Sequence, residues 1–145
     1  MGEIMQADLA KIGINVKLVT FDWPTYLSKT RTGEHTLLQM GWTGDNGDPD
    51  NFLHVLLGCA AIPAGSNYAR WCHKEFNDLI QEAKTGDNMN VRSALYEKAQ
   101  EIFKREAPWA TIAHSVIFRA MQKNVEGYKI DPLGGDIFKS VSKSE

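Results

Sequence analysis

The sequence predicts an α/β fold, because segments with helical periodicity alternate along the chain with short apolar segments of strand character. A helical apolar stripe ends at Gly13, and residues 14–19 then alternate between apolar and polar side chains. A second helix is expected to begin at Pro24 and to end at Gly33, before an apolar run at residues 37–40. Two successive helix–strand pairs are typical of parallel strands joined by helical crossovers.

The second half of the chain predicts three helices followed by strands. A short helix is expected at residues 49–56, and two longer helices are expected at residues 74–84 and 90–106. The apolar residues that share one face of the last helix, and that predict core positions, are Val91, Leu95, Ala99, Ile102 and Phe103. Pro108 ends that helix, and strand character follows at residues 109–114, 118–121 and 128–130.

Composition and charge describe one soluble globular domain. Of the 145 residues, 43% are hydrophobic and 23% are charged, which is enough to bury a sizeable apolar core. The 16 basic and 18 acidic residues give a net charge of -2 without a basic stripe, so we expect no nucleic-acid partner. No apolar run approaches the roughly 20 residues that span a bilayer. Because Met1 and Gly2 directly precede residues of an amphipathic helix, we expect the chain to begin inside a longer protein.

The two cysteines, Cys59 and Cys72, lie on either side of a loop that contains proline, glycine, serine and asparagine. A bond between them would close a ring of about 14 residues, which is worth on the order of 3 kcal/mol. Such a bond would indicate an oxidising compartment, whereas two unrelated buried thiols fit the spacing equally well. Neither cysteine has metal-site spacing with a histidine, so the sequence predicts no metal site.

The loop after Trp42 is the first place to expect a ligand, because ligands of open α/β sheets bind beyond the carboxyl ends of the strands. Residues 43–51 are dense in glycine, aspartate and asparagine, which favour turns. Asp48 and Asp50 flank a proline and fit the start of a helix, with Asp48 as its N-cap. Asp45 lies away from that start, between two glycines, and is equally consistent with a cationic ligand and with turn stabilisation.

Calcium binding and catalysis have little support in the sequence. An EF-hand loop that began at Asp45 would need oxygen ligands where glycine and proline stand, and a glutamate where Leu56 stands. His114 and Ser115 are neighbours on a predicted strand, so their side chains would point to opposite faces. Nucleophile elbows, P-loops and zinc-protease motifs are also missing. We therefore expect no catalytic residue and no cofactor, and a small hydrolase is the alternative from a different class of function.

Residues 40–52, with the sequence MGWTGDNGDPDNF, closely resemble the peptide-binding loop of dipeptide-binding proteins in solute-binding protein family 5. The flanking segments agree as well, namely residues 6–13, 59–61, 65–68, 71–72, 113–115, 127–128 and 131–134. The resemblance spans essentially the whole chain, although members of the family are several times longer. It implies that residues 1–145 are part of the C-terminal lobe of a type II periplasmic-binding-protein fold, without the N-terminal lobe and the upstream half of this lobe.

The resemblance also implies roles for individual residues. Asp45 would receive the α-ammonium group of a bound dipeptide, because a carboxylate forms charge-assisted hydrogen bonds with this compact cation. The residues that would line the same wall of the site are Trp42, Thr43 and Gly44. The pair that matches the local disulfide of the family is Cys59 and Cys72. The arginine that binds the ligand carboxylate in the family is expected upstream of this chain.

The function implied by the resemblance is that of a periplasmic substrate-binding component of a dipeptide ABC importer, with the membrane permease as its partner and without enzymatic activity. Haem or another peptide-like solute is the alternative within the family. The histidines, none of which is an obvious haem ligand, are His35, His54, His73 and His114. We also expect the chain alone to bind no dipeptide and to self-associate through uncovered apolar surface.

Overall fold

Six helices and four two-residue strands form in the computed structural model, which describes residues 1–145 apart from the side chain of Ala64. The chain divides into two compact units, Met1–Gly41 and Trp42–Glu145. None of the described helices is long and apolar enough to cross a membrane. The fold mixes helix and sheet, as the sequence predicts, but its strands differ from those expected.

The first unit contains α1 (Gly2–Ala10) and α2 (Trp23–Thr32). The Asp22 carboxylate caps α2 by accepting a hydrogen bond from the backbone amide of Thr25 at 3.1 Å. Gly33 ends the helix in the left-handed conformation with a φ of 79°, which glycine adopts at little cost. These boundaries confirm the second helix that the sequence predicts.

The second unit is organised around α5 (Lys74–Thr85), which packs against α6 (Met89–Glu106) and against α3 (Asp50–Leu57). A single helical turn, α4 (Ala61–Ala64), lies between α3 and α5 in the chain. The buried apolar core consists of Leu56, Leu57, Phe76, Ile80, Ala83, Tyr96, Ala99 and Ile102. The helices that periodicity predicts at residues 74–84 and 90–106 are therefore confirmed.

The predicted core face of α6 is correct at Ala99 and Ile102 but wrong at Val91. Val91, in the first turn of the helix, is 51% exposed, whereas Tyr96 is only 4% exposed and joins the core. An aromatic ring is readily buried when its hydroxyl has a partner, and the Tyr96 hydroxyl accepts a hydrogen bond from Arg92 at 3.5 Å. The buried face of α6 therefore includes Tyr96, Ala99 and Ile102 but not Val91 in the first turn.

The four strands form two small antiparallel ladders in the second unit. β1 (Val125–Glu126) pairs with β4 (Ser142–Lys143), and β2 (Lys129–Ile130) pairs with β3 (Asp136–Ile137). Only β2 falls within a segment that the sequence predicts to be extended. β2 and β3 are consecutive and form a hairpin, whereas β1 and β4 pair although β2 and β3 lie between them in the chain; both ladders fall within the last 21 residues, and neither provides a central sheet.

The predicted strands at residues 14–19, 37–40, 109–114 and 118–121 do not form, and the described residues contain no parallel pair. A strand needs a neighbour that satisfies its backbone N–H and C=O groups, and no described segment forms a ladder with these four. Their alternating pattern predicts which side chains share a face but not what pairs with them. Ile112 and Phe118 consequently remain 45% and 83% exposed.

The turn-rich loop between α3 and α5 is closed by a disulfide between Cys59 and Cys72, with an S–S distance of 2.06 Å. Asn67 is buried inside this loop, and its side-chain amide donates hydrogen bonds to the carbonyls of Gly58 at 3.1 Å and Trp71 at 2.8 Å. The disulfide is the one that the resemblance implies, so the two cysteines are not unrelated thiols. The covalent bond and the buried amide together hold the loop closed.

Replacing Cys59 and Cys72 together with serine should lower the free energy of unfolding by about 3 kcal/mol, because the disulfide restricts the unfolded chain. Urea unfolding followed by circular dichroism measures the difference. Dithiothreitol should lower the urea concentration at the unfolding midpoint of the unmodified protein and leave that of the double variant unchanged. Equal midpoints for the two proteins, or two freely alkylated thiols in protein prepared under oxidising conditions, would contradict the prediction.

Candidate functional site

The loop of residues 42–49 is attached to the first turn of α3 through the side chain of Asn51. The Asn51 Oδ1 atom accepts hydrogen bonds from the indole Nε1 of Trp42 at 2.9 Å and from the backbone amide of Asp45 at 3.2 Å. The amide nitrogen of the same side chain lies 3.4 Å from the Oδ2 atom of Asp45. One side chain of α3 therefore brings Trp42 and Asp45 together and orients the Asp45 carboxylate.

Glycine is required at two positions of this loop. A Cβ atom at Gly44 would lie 2.9 Å from the Phe52 ring, so the absence of a side chain lets the ring pack against the loop backbone. Gly47 has a φ of 70°, which strains any residue that carries a side chain. Between them the Asp45 side chain is exposed. The loop thus presents a carboxylate on a tightly folded backbone.

Thr43 faces a different part of the second unit. A Cβ atom at Gly134, where φ is 86°, would lie 3.9 Å from the Thr43 Cγ2 atom and 3.0 Å from Ile117. The turn that contains Gly134 is held by hydrogen bonds of 2.8 Å from the Gly134 amide to the Asp131 carbonyl and from the Leu133 amide to the Asp131 carboxylate. The turn of residues 131–134 therefore lies beside the loop.

Asp48 and Asp50 act at the other end of the loop, where α3 begins. Pro49, which directly precedes α3, already has helical φ and ψ angles of -57° and -24°, as expected for proline at the first helical position. The Asp48 carboxylate accepts a hydrogen bond from the backbone amide of Asp50 at 3.0 Å, which is the N-cap contact that the sequence predicts, and a second from the guanidinium of Arg92 at 2.6 Å. The Asp50 amide, and secondly the Arg92 guanidinium, hold the pKa of the Asp48 carboxyl below its usual range.

The sequence-predicted site residues are thus partly brought together. Trp42, Gly44 and Asp45 share one hydrogen-bonded loop, whereas the disulfide lies beyond the other end of α3. No group of three or more His, Cys, Asp or Glu side chains in the described part of the chain could hold a metal ion. An exposed carboxylate beside an indole is suited to binding an organic cation through charge and hydrogen bonds.

Two residues that contribute to this geometry are absent from the sequence prediction. Asn51 stands in the first turn of the helix that follows the loop, where an asparagine side chain can reach back to the preceding backbone, so a local signal exists. Arg92 lies 44 positions from Asp48, and no local pattern connects the two.

Comparison with known proteins relates the whole chain to solute-binding proteins. Residues 1–64 match the family described as bacterial extracellular solute-binding proteins, family 5, middle region. The chain is 51% identical over 142 residues to the dipeptide-binding protein of Escherichia coli strain K12, and 45% identical over 142 residues to haem-binding protein A of Haemophilus influenzae. Each alignment covers 98% of this chain and 26% of the relative.

A solved structure gives the same result in three dimensions. The dipeptide-binding protein of Pseudoalteromonas sp. SM9913 in complex with Met-Leu superimposes with a TM-score of 0.90 at 37% identity, over 99% of this chain and 28% of that protein. The chain spans about a quarter of the length of the relatives that it matches. The matched segment and the identity over nearly the whole chain together show that the chain belongs to family 5 of the bacterial extracellular solute-binding proteins.

Proposed function

We propose that the whole protein that carries this chain is the substrate-binding component of an ABC importer for dipeptides, and that Asp45 receives the α-ammonium group of the bound peptide. The observation that carries the proposal is the exposed Asp45 carboxylate, which Asn51 orients beside the Trp42 indole. The two dipeptide-binding relatives support the choice of ligand.

The chemistry of the Asp45 carboxylate matches that of a free peptide N-terminus. An ionised carboxylate offers about four acceptor positions, and the Asn51 amide approaches only one of its oxygens, at 3.4 Å. The remaining positions can accept hydrogen bonds from an ammonium group, each worth about 1.5–3 kcal/mol where water is excluded. An acetylated N-terminus has no such charge, so the interaction would select free amino ends and tolerate varied side chains.

The assignment of the chain to one lobe of a larger protein rests on the same family relationship. Residues 1–145 would form part of the C-terminal lobe of a type II periplasmic-binding-protein fold, and the rest of the protein would supply the opposite lobe and pairing strands. The exposed apolar side chains at residues 112–121 support this, because uncovered apolar surface of this kind is usually buried against other protein. The ligand would then be transferred to a membrane permease, without chemical change.

A periplasmic location is part of the proposal. The Cys59–Cys72 disulfide supports it, because such bonds persist in oxidising compartments, and so does the extracellular description of the matched family. Catalysis is not proposed, because the candidate site contains a carboxylate and an indole but no paired nucleophile and base.

Haem is the second candidate ligand, because one relative at 45% identity is a haem-binding protein. We rank it below a dipeptide because two of the four histidines are engaged within the second unit. The Nε2 atom of His54 lies 2.7 Å from the Gln81 amide nitrogen, and His73 Nδ1 accepts a hydrogen bond from the Phe76 amide at 3.3 Å. Soret absorbance after mixing the full-length protein with haem distinguishes the two ligands.

Asp45→Asn in the full-length protein should weaken the binding of Met-Leu by at least about tenfold, equivalent to roughly 1.4 kcal/mol, because the neutral amide no longer attracts the ammonium group. Isothermal titration calorimetry measures the change. Asp78→Asn is the matched control, since Asp78 pairs only with Lys74 on the exposed surface of α5. N-acetyl-Met-Leu should bind weakly to the unmodified protein, and the Asp45 substitution should not change its affinity. Unchanged affinity of the Asp45 variant for Met-Leu would leave Asp45 as a turn residue.

The 145-residue chain alone should show no measurable dipeptide binding. An exposed carboxylate in water interacts with an ammonium ion by only about 0–1 kcal/mol, which is less than the cost of immobilising a ligand. Amide NMR spectra during titration with Met-Leu test this expectation. Saturable shifts at residues 42–45 with micromolar ligand would show that this part of the site is sufficient.

The same chain should self-associate, because Val116 and Phe118 are 73% and 83% exposed and offer apolar surface to a second copy. Sedimentation equilibrium over a range of concentrations measures the mass. Phe118→Ser should reduce association, and Lys98→Ser on the polar face of α6 is the control that should leave it unchanged. A monomer at every concentration would contradict the prediction.

A further inference from the structure

The loop that carries Asp45 is attached to the helical core by Arg92 of α6. The Nη2 atom of Arg92 donates a hydrogen bond of 2.6 Å to the Asp48 carboxylate, and its Nε atom donates one of 2.7 Å to the carbonyl of Ala83 on α5. The guanidinium carbon lies 5.7 Å from the ring centroid of Tyr96. Only 15% of the Arg92 side chain is exposed, and its Nη1 atom also lies 3.7 Å from the Met89 sulfur, so four partners hold it at once.

We propose that Arg92 is a positioning residue for ligand binding, which fixes the loop of Asp45 against the α5–α6 pair through its contact with Asp48. The inference rests on the proposed role of Asp45 as the acceptor of the ligand ammonium group. It adds a second attachment of the loop, at the end opposite to the Trp42–Asn51 hydrogen bond.

The two attachments hold residues on either side of Asp45 in the sequence, namely Trp42 and Asp48. Asn51 holds Trp42 and the Asp45 amide from α3, whereas Arg92 holds Asp48 from α6. Between Asp45 and Asp48 the loop contains Gly47, whose φ of 70° belongs to a residue with many accessible backbone conformations when free. Within this segment the Asn46 Oδ1 atom accepts a hydrogen bond from the Asp48 amide at 3.0 Å, and the Asp48–Arg92 pair adds a contact from outside the loop that favours one geometry.

Arginine is well suited to this task. Its planar guanidinium presents several donors in a fixed arrangement, so it can bind a backbone carbonyl and a carboxylate in different directions without changing its own conformation. Ala83, which supplies the carbonyl, is fully buried, and Tyr96 is 4% exposed. The donor that reaches Asp48 is therefore held by the most rigid part of the second unit.

A purely structural role for Arg92 makes different predictions from a positioning role. If Arg92 served only to stabilise the α5–α6 pair, its loss would lower the free energy of unfolding but would change ligand affinity by the same factor with or without the Asp45 charge. If it positions Asp45, its loss should matter only when that charge is present. A double-mutant cycle between positions 92 and 45 separates the two roles.

Arg92→Met in the full-length protein should weaken Met-Leu binding by at least about fivefold in calorimetry, because Asp45 is less often in the geometry that accepts the ammonium group. In the Asp45→Asn background the same substitution should cause no further loss. Arg105→Met is the matched control, since Arg105 belongs to α6, is 61% exposed and pairs only with the adjacent Glu106. Thermal unfolding of each variant verifies that the fold is retained.

Asp48→Asn provides an independent test if Arg92→Met does not fold, because it removes the charged partner in the loop and leaves the Ala83 hydrogen bond in place. It should reproduce the loss of affinity seen for Arg92→Met, and the two substitutions together should be no worse than either alone. Arg92→Lys should retain part of the affinity, because one ammonium group cannot occupy both donor positions.

The outcomes separate the inference from the proposed function. Absence of Met-Leu binding by the unmodified protein, or unchanged affinity of Asp45→Asn, would refute the proposed function and the inference that rests on it. If Asp45→Asn binds Met-Leu weakly while Arg92→Met and Asp48→Asn bind it with unchanged affinity, the inference alone is refuted. Equal losses from Arg92→Met in the presence and absence of the Asp45 charge would also refute it.

Discussion

The packing of α5 against α6 is the physical constraint on which the second unit depends. Phe76, Ile80 and Ala99 have no exposed surface, and Leu57 of α3 is only 1% exposed against the same core. The loop of residues 42–49 contributes no fully buried side chain of its own. Its geometry therefore depends on the helices to which it is hydrogen-bonded, which is how surface loops usually acquire a precise functional shape.

Sequence periodicity was sufficient for the helices because the signals that start and end a helix are local. The cap at Asp22 and the left-handed Gly33 lie within one turn of α2, and the apolar spacing of α5 and α6 is visible within each segment. Strands depend on a partner that can lie anywhere in the chain or outside it, so the alternating residues 14–19 and 109–114 carried no information about pairing. The burial of Tyr96 in place of Val91 likewise depends on its contact with Arg92, which periodicity does not describe.

The candidate site shows the same division between local and distant information. The composition of residues 42–51 was enough to select the loop and to separate Asp45 from the helix-starting aspartates, and the resemblance supplied a ligand. The role of Asn51 has a local signal, because Asn51 belongs to the same short segment as Asp45. The Asp48–Arg92 pair was not, since it joins residues 44 positions apart and exists only once α6 has packed onto α5. A charge pair of this kind is visible in three dimensions alone.

The disulfide changes how the core can assemble. Cys59 follows the end of α3 and Cys72 precedes the start of α5, so the bond makes these two helices neighbours along a covalent path even before either has formed. In the oxidised protein the unfolded chain has already lost the entropy of closing the 13-residue separation. This loss therefore no longer opposes the packing of Leu57 and Ile80 into one core. In terms of folding kinetics, the contact between α3 and α5 becomes a short-range event, and the effective contact order of the α3–α5–α6 core falls.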